Sequence, residues 1–142
     1  MRYIVLIAAI SCACGSPSGG DLRSAIVVAD DDSLTRYLEH AAGWWNTLGS
    51  TDFGVSSSCD PGWTCITLRR CPLGSDEAGE TSYLPGDHTR RAVCIAASLP
   101  ASYVSLTIAH ELGHSIGLGH SDGVMAPAVT DAAWALPSSY PR

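Results

Sequence analysis

Three histidines and one glutamate lie within eleven consecutive residues, at spacings that suit a metal centre. On an α-helix His110 and His114 lie on the same face, because residues four apart stack one above the other, and both imidazoles can point at one ion. Glu111 is close enough to reach a water molecule on that ion. Gly117 can take the left-handed conformation that ends a helix, and the turn brings His120 back as a third ligand. Three protein ligands leave the fourth position of a tetrahedral zinc ion open, as in catalytic zinc sites.

The same stretch resembles the metzincin zinc metalloproteases, and within that clan the matrixin (matrix metalloproteinase-like) branch. The eleven residues match the pattern H-E-x-x-H-x-x-G-x-x-H, and Met125 follows them as the methionine turn does in that clan. Ser121, directly after the third histidine, and a Met-x-Pro sequence that ends at Pro127 are the features that favour the matrixins. The similarity is dense around this pattern and diffuse elsewhere.

The resemblance implies a zinc-dependent endopeptidase that acts on a protein or peptide substrate. His110, His114 and His120 would bind one catalytic zinc ion. Glu111 would act as the general base for the zinc-bound water and would then pass the proton to the leaving amine.

Other residues of the pattern have structural roles in this family. By resemblance, Gly117 makes the turn between the second and third ligands, Met125 packs beneath the metal without binding it, and Pro127 begins the wall of the pocket for the residue after the cleaved bond. Matrixins also bind a structural zinc through several histidines and an aspartate. This chain offers only Asp87 and His88 in the corresponding region, so we expect a single zinc ion.

Two alternative functions remain open at this point. One is a non-catalytic zinc-dependent protein-binding domain, against which the retention of Glu111 argues. The other is a toxin or effector protease with a single protein target, which the small size of the chain permits. A net charge of −6 without any lysine argues against a nucleic-acid partner, and we expect the chain to act as a monomer.

The hydrophobic pattern outlines the elements that must position these residues. Residues 25–29 form a continuous apolar run rich in β-branched side chains, which predicts a strand covered on both faces. Apolar residues recur at helical spacing over residues 33–48, which predicts an amphipathic helix that ends at Gly49. Residues 50–99 look rich in strands and turns. The best strand candidates there are residues 64–68 and 91–99.

A second helix must carry the metal-binding pattern. It is predicted to start near Ser102 and to run to about Gly117, and it is buried because its apolar residues lie on all sides. After Met125, residues 130–136 predict a short helix closed by Pro137. With the resemblance, the expected fold is metzincin-like α+β: a twisted, mostly parallel mixed sheet, a long first helix, a buried active-site helix, a methionine turn and a short C-terminal helix.

Three aspartates, Asp30, Asp31 and Asp32, precede the first helix. Carboxylates at this position complement the positive end of a helix. A structural calcium site is the alternative, but the sequence does not support it, because three adjacent aspartates cannot all face one ion.

The chain begins with features of an export signal. Residues 1–14 combine a short positive start with an apolar run that is too short to span a bilayer, and they are predicted to be a signal peptide. Residues 15–22 are then a flexible linker, and residues 23–142 are one catalytic domain.

Two cysteines at the end of the signal resemble the lipidation site of bacterial lipoproteins. Cys14, preceded by Ala13, fits that pattern better than Cys12 does. Ordinary cleavage near Ala13, with neither cysteine lipidated, is the alternative. In both cases the protein is exported, and it is either secreted or anchored by a lipid at the bacterial cell envelope, with no other contact to a membrane.

The remaining four cysteines, Cys59, Cys65, Cys71 and Cys94, predict two disulfides in an exported chain. The sequence leaves all three connectivities open. A cysteine-bound zinc is less favoured, because the close C-x₂₋₄-C spacing of such sites is missing.

Overall fold

The computed structural model describes residues 23–74, 76–83, 90–128, 131–138 and 140. The predicted signal peptide, its two cysteines and the linker lie outside the described residues, as do Asp87 and His88. The elements are, in chain order, β1 (Ser24–Ala29), α1 (Asp32–Asn46), β2 (Asp52–Ser56), β3 (Cys65–Cys71), β4 (Gly79–Tyr83), β5 (Arg90–Ala96), α2 (Ala101–Ser115) and a 3₁₀ turn (Gly123–Met125), here called the methionine turn.

The five strands form one sheet in the order β2-β1-β3-β5-β4. Strands β2, β1, β3 and β5 run parallel to one another, whereas β4 pairs antiparallel with β5 at one edge. The expected α+β class with a mostly parallel mixed sheet is therefore confirmed at this level.

Strand β1 lies inside the sheet, as its apolar sequence predicts, but it is not covered equally on both faces. Ala25 and Val27 are buried, whereas Ile26 and Val28, which point the other way, are only half-buried. Both helices pack against each other and against the sheet, so they cover the face to which Ala25 and Val27 point. The prediction of a strand buried on both sides is wrong for this reason.

Helix α1 begins and ends close to the predicted bounds. The side chain of Asp31 accepts a hydrogen bond from the Ser33 amide at 2.8 Å and so caps the helix. This bond lowers the pKa of Asp31. Arg70 on β3 lies 3.6 Å from the same carboxylate. Asp31 therefore complements the positive helix end, as the capping interpretation of the aspartates predicts.

The segment after the methionine turn does not form the predicted helix. A short helix was expected over residues 130–136, but the described residues 131–138 form turns and bends. Their backbone groups bond to the methionine turn instead: the Ala133 amide donates to the Gly123 carbonyl, and the Ala135 carbonyl accepts from the Val124 amide. These hydrogen bonds occupy backbone groups that the hydrogen bonds of a helix would need. Pro137, which has no amide hydrogen, then prevents a helix from continuing.

Two disulfides join the cysteine pairs Cys59–Cys65 and Cys71–Cys94. The structure thus selects one of the three connectivities that the sequence leaves open. Disulfides persist in oxidising compartments, so this pairing indicates an oxidising, exported environment. Neither helix in the described part of the chain has the length and apolar character that a bilayer span requires.

Candidate metal centre

The C-terminal half of α2 and the turn after it bring the three predicted histidines together. His110 and His114 lie one helical turn apart on α2, and the chain leaves the helix at Gly117, whose φ is +91°. The loop then returns His120. One ligand atom from each of the three imidazoles lies within 4.8 Å of the others, a separation that could hold one metal ion.

Backbone carbonyls orient two of the rings. The Nδ1 atom of His110 lies 2.9 Å from the Val124 carbonyl oxygen, and that of His114 lies 2.8 Å from the Leu118 carbonyl oxygen. A carbonyl can only accept, so Nδ1 of each neutral ring carries the proton and donates it. Each Nε2 atom is consequently unprotonated, with a lone pair that can bind a metal.

Those two Nε2 atoms are buried and find no hydrogen-bond partner among the described residues. Buried polar atoms in folded proteins almost always have a partner, so an unpartnered pair calls for an explanation. A metal ion supplies it, because neutral imidazole nitrogen is a preferred ligand of zinc. The residues present therefore fit a bound divalent cation.

Burial decreases from the first histidine to the third. His110 is fully buried, His114 is half-buried and His120 is exposed. Burial, with smaller contributions from the neighbouring histidines, lowers the pKa of His110 to about 3, and burial also lowers the pKa of His114 and His120. All three rings are therefore neutral near pH 7, as metal ligation requires. Exposure on the His120 side leaves the site open to solvent.

Glu111, which follows His110 on α2, is buried. Its side chain is 1 % exposed, and Oε2 accepts a hydrogen bond from the Thr81 hydroxyl on β4 at 2.6 Å. Oε1 is buried and has no partner among the residues that the structure describes. Burial raises the pKa of the carboxyl to about 8, although the Thr81 hydrogen bond acts in the opposite direction. This pKa belongs to the metal-free protein, and a bound divalent cation would lower it by favouring the ionised carboxylate.

The floor of the site is a close contact between α2, the methionine turn and α1. Met125 is fully buried, and its sulfur would overlap a Cβ atom placed on Gly113. The Trp45 ring approaches the same position to 3.2 Å, and its Nε1 donates to the Ala109 carbonyl at 2.8 Å. Met125 thus packs against the histidine-bearing helix, while its expected place beneath the metal stays a prediction.

Two further expectations concern the pocket wall that begins at Pro127 and the alternative calcium site at the aspartates. Pro127 is exposed, and the end of the pocket wall that it was expected to begin, residues 129–130, lies outside the described residues. Asp30 and Asp32 line a surface depression with Glu39, but the histidine triad is the only metal-ligand group of three or more found within the described ranges. The calcium alternative thus gains no support.

Four contributors to the site have no signal in the sequence. The Leu118 and Val124 carbonyls orient histidines, and a backbone atom leaves no trace in a residue pattern. Thr81 and Gly79 lie on β4, about thirty residues before Glu111, and only the sheet pairing brings them to it.

Comparison with protein-family models finds no match to this chain, and comparison with curated proteins also finds none.

Proposed function

We propose that this protein is a zinc-dependent endopeptidase of the metzincin type, similar to the matrixins. One observation carries the proposal: among the described residues, the unprotonated Nε2 atoms of His110 and His114, which lie near a third imidazole, and one carboxyl oxygen of Glu111, the residue after His110, find no hydrogen-bond partner. His110, His114 and His120 would hold the zinc ion.

A zinc ion bound there would act as a Lewis acid that polarises the scissile carbonyl and lowers the pKa of water to about 7. Glu111 supplies the proton transfer. Its Oε1 accepts the proton of the attacking water and later donates it to the nitrogen of the leaving amine. Val124 and Leu118 keep the imidazoles in the tautomer that leaves Nε2 free.

A pure zinc-binding domain is the less favoured alternative. Burying a carboxyl group costs free energy unless its polar atoms are paired. Glu111 follows His110 on α2, is buried, and has one oxygen without a partner in the part of the chain that the structure describes, an arrangement that a structural site does not need. The disulfides agree with a protein that acts outside the cytoplasm, either secreted or held at the cell envelope by a lipid.

Hydrolysis of casein or gelatin by the purified protein, with and without a chelator, tests the proposal. We expect activity that the chelator removes and zinc restores. Glu111→Ala should bind as much zinc as the wild type but lose about 10²–10⁴-fold in kcat, the range for loss of a general base. Glu39→Ala, which removes an exposed carboxylate from α1, is the matched control and should leave both quantities unchanged.

Two outcomes would contradict the proposal in different ways. Full activity of Glu111→Ala would show that the proton transfer assigned to this residue is wrong. If the wild-type protein binds zinc but cleaves neither these proteins nor any member of a peptide library, the alternative function as a non-catalytic zinc-binding domain is favoured.

A further inference from the structure

Strand β4 contacts the buried carboxylate with two of its residues. The Thr81 hydroxyl lies 2.6 Å from Oε2 of Glu111 and 3.0 Å from the carbonyl oxygen of the same residue. A hydroxyl has one proton to donate, and the shorter distance assigns that proton to Oε2. The carboxylate is therefore held from outside its own helix.

Gly79 provides the room for this arrangement. It stands two positions before Thr81, and alternate residues of a strand point to the same face. A Cβ atom at Gly79 would lie 2.7 Å from Oε1 and 3.0 Å from Cγ of Glu111. The strand thus offers a slot that a side chain at this position would close.

We infer that Thr81 is a positioning residue for Glu111: its hydroxyl fixes Oε2, so that Oε1 remains the free oxygen that handles the proton. This role rests on the proposed peptidase function. A glutamate side chain has several rotatable bonds, and holding it in one arrangement before reaction raises the rate without changing substrate binding. The partner that orients a catalytic group in this way acts on kcat rather than on KM.

Steady-state peptide hydrolysis by Thr81→Val, Thr81→Ser and Thr47→Val tests the kinetic consequence. Thr81→Val keeps the shape of the side chain and removes the donor, and we expect kcat to fall about 10–100-fold, with KM and zinc content unchanged. Thr81→Ser keeps the hydroxyl and should restore most of kcat. Thr47→Val makes the same chemical change at the exposed end of α1, where the hydroxyl bonds to the Trp44 carbonyl at 2.6 Å, and should keep wild-type kcat.

A second measurement does not depend on activity. In the metal-free protein, Thr81→Val should lower the melting temperature, because it leaves a buried carboxyl oxygen without its donor. The same substitution in a Glu111→Ala background should lower it much less, since that background has no carboxylate to hold.

The outcomes of these experiments distinguish the positioning role of Thr81 from the proposed peptidase function. Wild-type kcat in Thr81→Val, or equal melting shifts in both backgrounds, would overturn the role of Thr81 while the peptidase function stands. An inactive wild-type protein would overturn the proposed function and the kinetic role together, and the melting comparison would then report only on the contact.

Discussion

At the scale of single residues, the two ring nitrogens of His110 and of His114 have different environments. The Nδ1 atoms donate to backbone carbonyls of Val124 and Leu118, and the Nε2 atoms are left for a metal. Because a carbonyl cannot donate, this arrangement disfavours the other tautomer without using any charged side chain. The rings are therefore set for binding before a metal arrives, which lowers the entropy cost of ligation.

The raised pKa of Glu111 predicts how the stability of the metal-free protein depends on pH. Burial raises this pKa to about 8, above the value of an unfolded chain, so the folded state retains a proton that the unfolded state has lost. The stability that this provides is complete at low pH, below the unfolded pKa, and is lost as pH rises through the folded pKa. Urea unfolding should show this contribution to the free energy of unfolding falling between about pH 4.5 and about pH 8, most cleanly above about pH 6.5, where the histidines no longer titrate.

Glu111→Gln is the control for this pH effect. It cannot ionise, so its stability should not show this fall. The lowered pKa values of His110, His114 and His120 act in the opposite sense, mainly below about pH 6.5, and they affect both proteins equally. If the two proteins keep a constant difference in stability across this pH range, the assignment of the raised pKa to Glu111 is wrong.

At the scale of elements, the site depends on how closely α2 packs against its neighbours. Gly113 lies between two ligands on α2, and the Met125 sulfur and the Trp45 ring occupy the space that a side chain there would need. The indole of Trp45 also donates to the Ala109 carbonyl, one residue before His110. A shift of α2 would therefore move His110, His114 and Glu111 together.

Two glycine-to-alanine substitutions test this packing. Gly113→Ala should lower the free energy of unfolding by about 1–3 kcal/mol, because the added methyl group overpacks the core. Gly43→Ala places the same methyl group on α1, where no described residue lies within 4 Å of it, and should raise stability by about 0.5–1 kcal/mol through helix propensity. Urea unfolding of both variants measures the difference. Equal stability of the two variants would show that Met125 does not press against the helix.

Sequence pattern predicts some of these elements better than others. Strand β1 and helices α1 and α2 follow from long apolar patterns, and their ends agree within a few residues. Strands β2 and β4 are five residues each and contain glycine, so they depend on pairing with β1 and β5 rather than on their own pattern. The prediction of a C-terminal helix is wrong because backbone groups of Ala133 and Ala135 bond to the methionine turn instead.

The residues of the candidate site also differ in how well the sequence predicts them. The histidines and Glu111 are predictable because their spacing on one helix fixes where they point. Thr81 is not, because its contact with Glu111 arises from the position of β4 beside α2. The carbonyls of Leu118 and Val124 are not predictable either, because every residue has a carbonyl and only the turns decide which one reaches a histidine.

At the scale of the whole molecule, the two disulfides close loops of different length. Cys71 and Cys94 join the neighbouring strands β3 and β5 across 23 residues, and Cys59 and Cys65 close a loop across 6 residues before and at the start of β3. A cross-link stabilises a protein mainly by restricting the unfolded chain, and a longer loop gives a larger effect.

Removal of each disulfide by paired alanine substitution tests this difference. We expect Cys71→Ala with Cys94→Ala to cost about 3 kcal/mol and Cys59→Ala with Cys65→Ala about 2 kcal/mol in the free energy of unfolding. The first pair also joins the two strands that lead to β4 and α2, so its loss should weaken zinc binding more. A larger loss from the shorter loop would show that native contacts, rather than chain entropy, decide the effect.

X-ray absorption spectroscopy of the zinc-loaded protein tests the central claim most directly. An open catalytic site predicts one zinc ion per chain, bound by three imidazole nitrogens at about 2.0–2.1 Å and one oxygen, with no sulfur. His120→Ala should lose an imidazole from this shell or lose the metal altogether. A shell of four protein ligands, a sulfur ligand, or a shell that His120→Ala leaves unchanged would contradict the account.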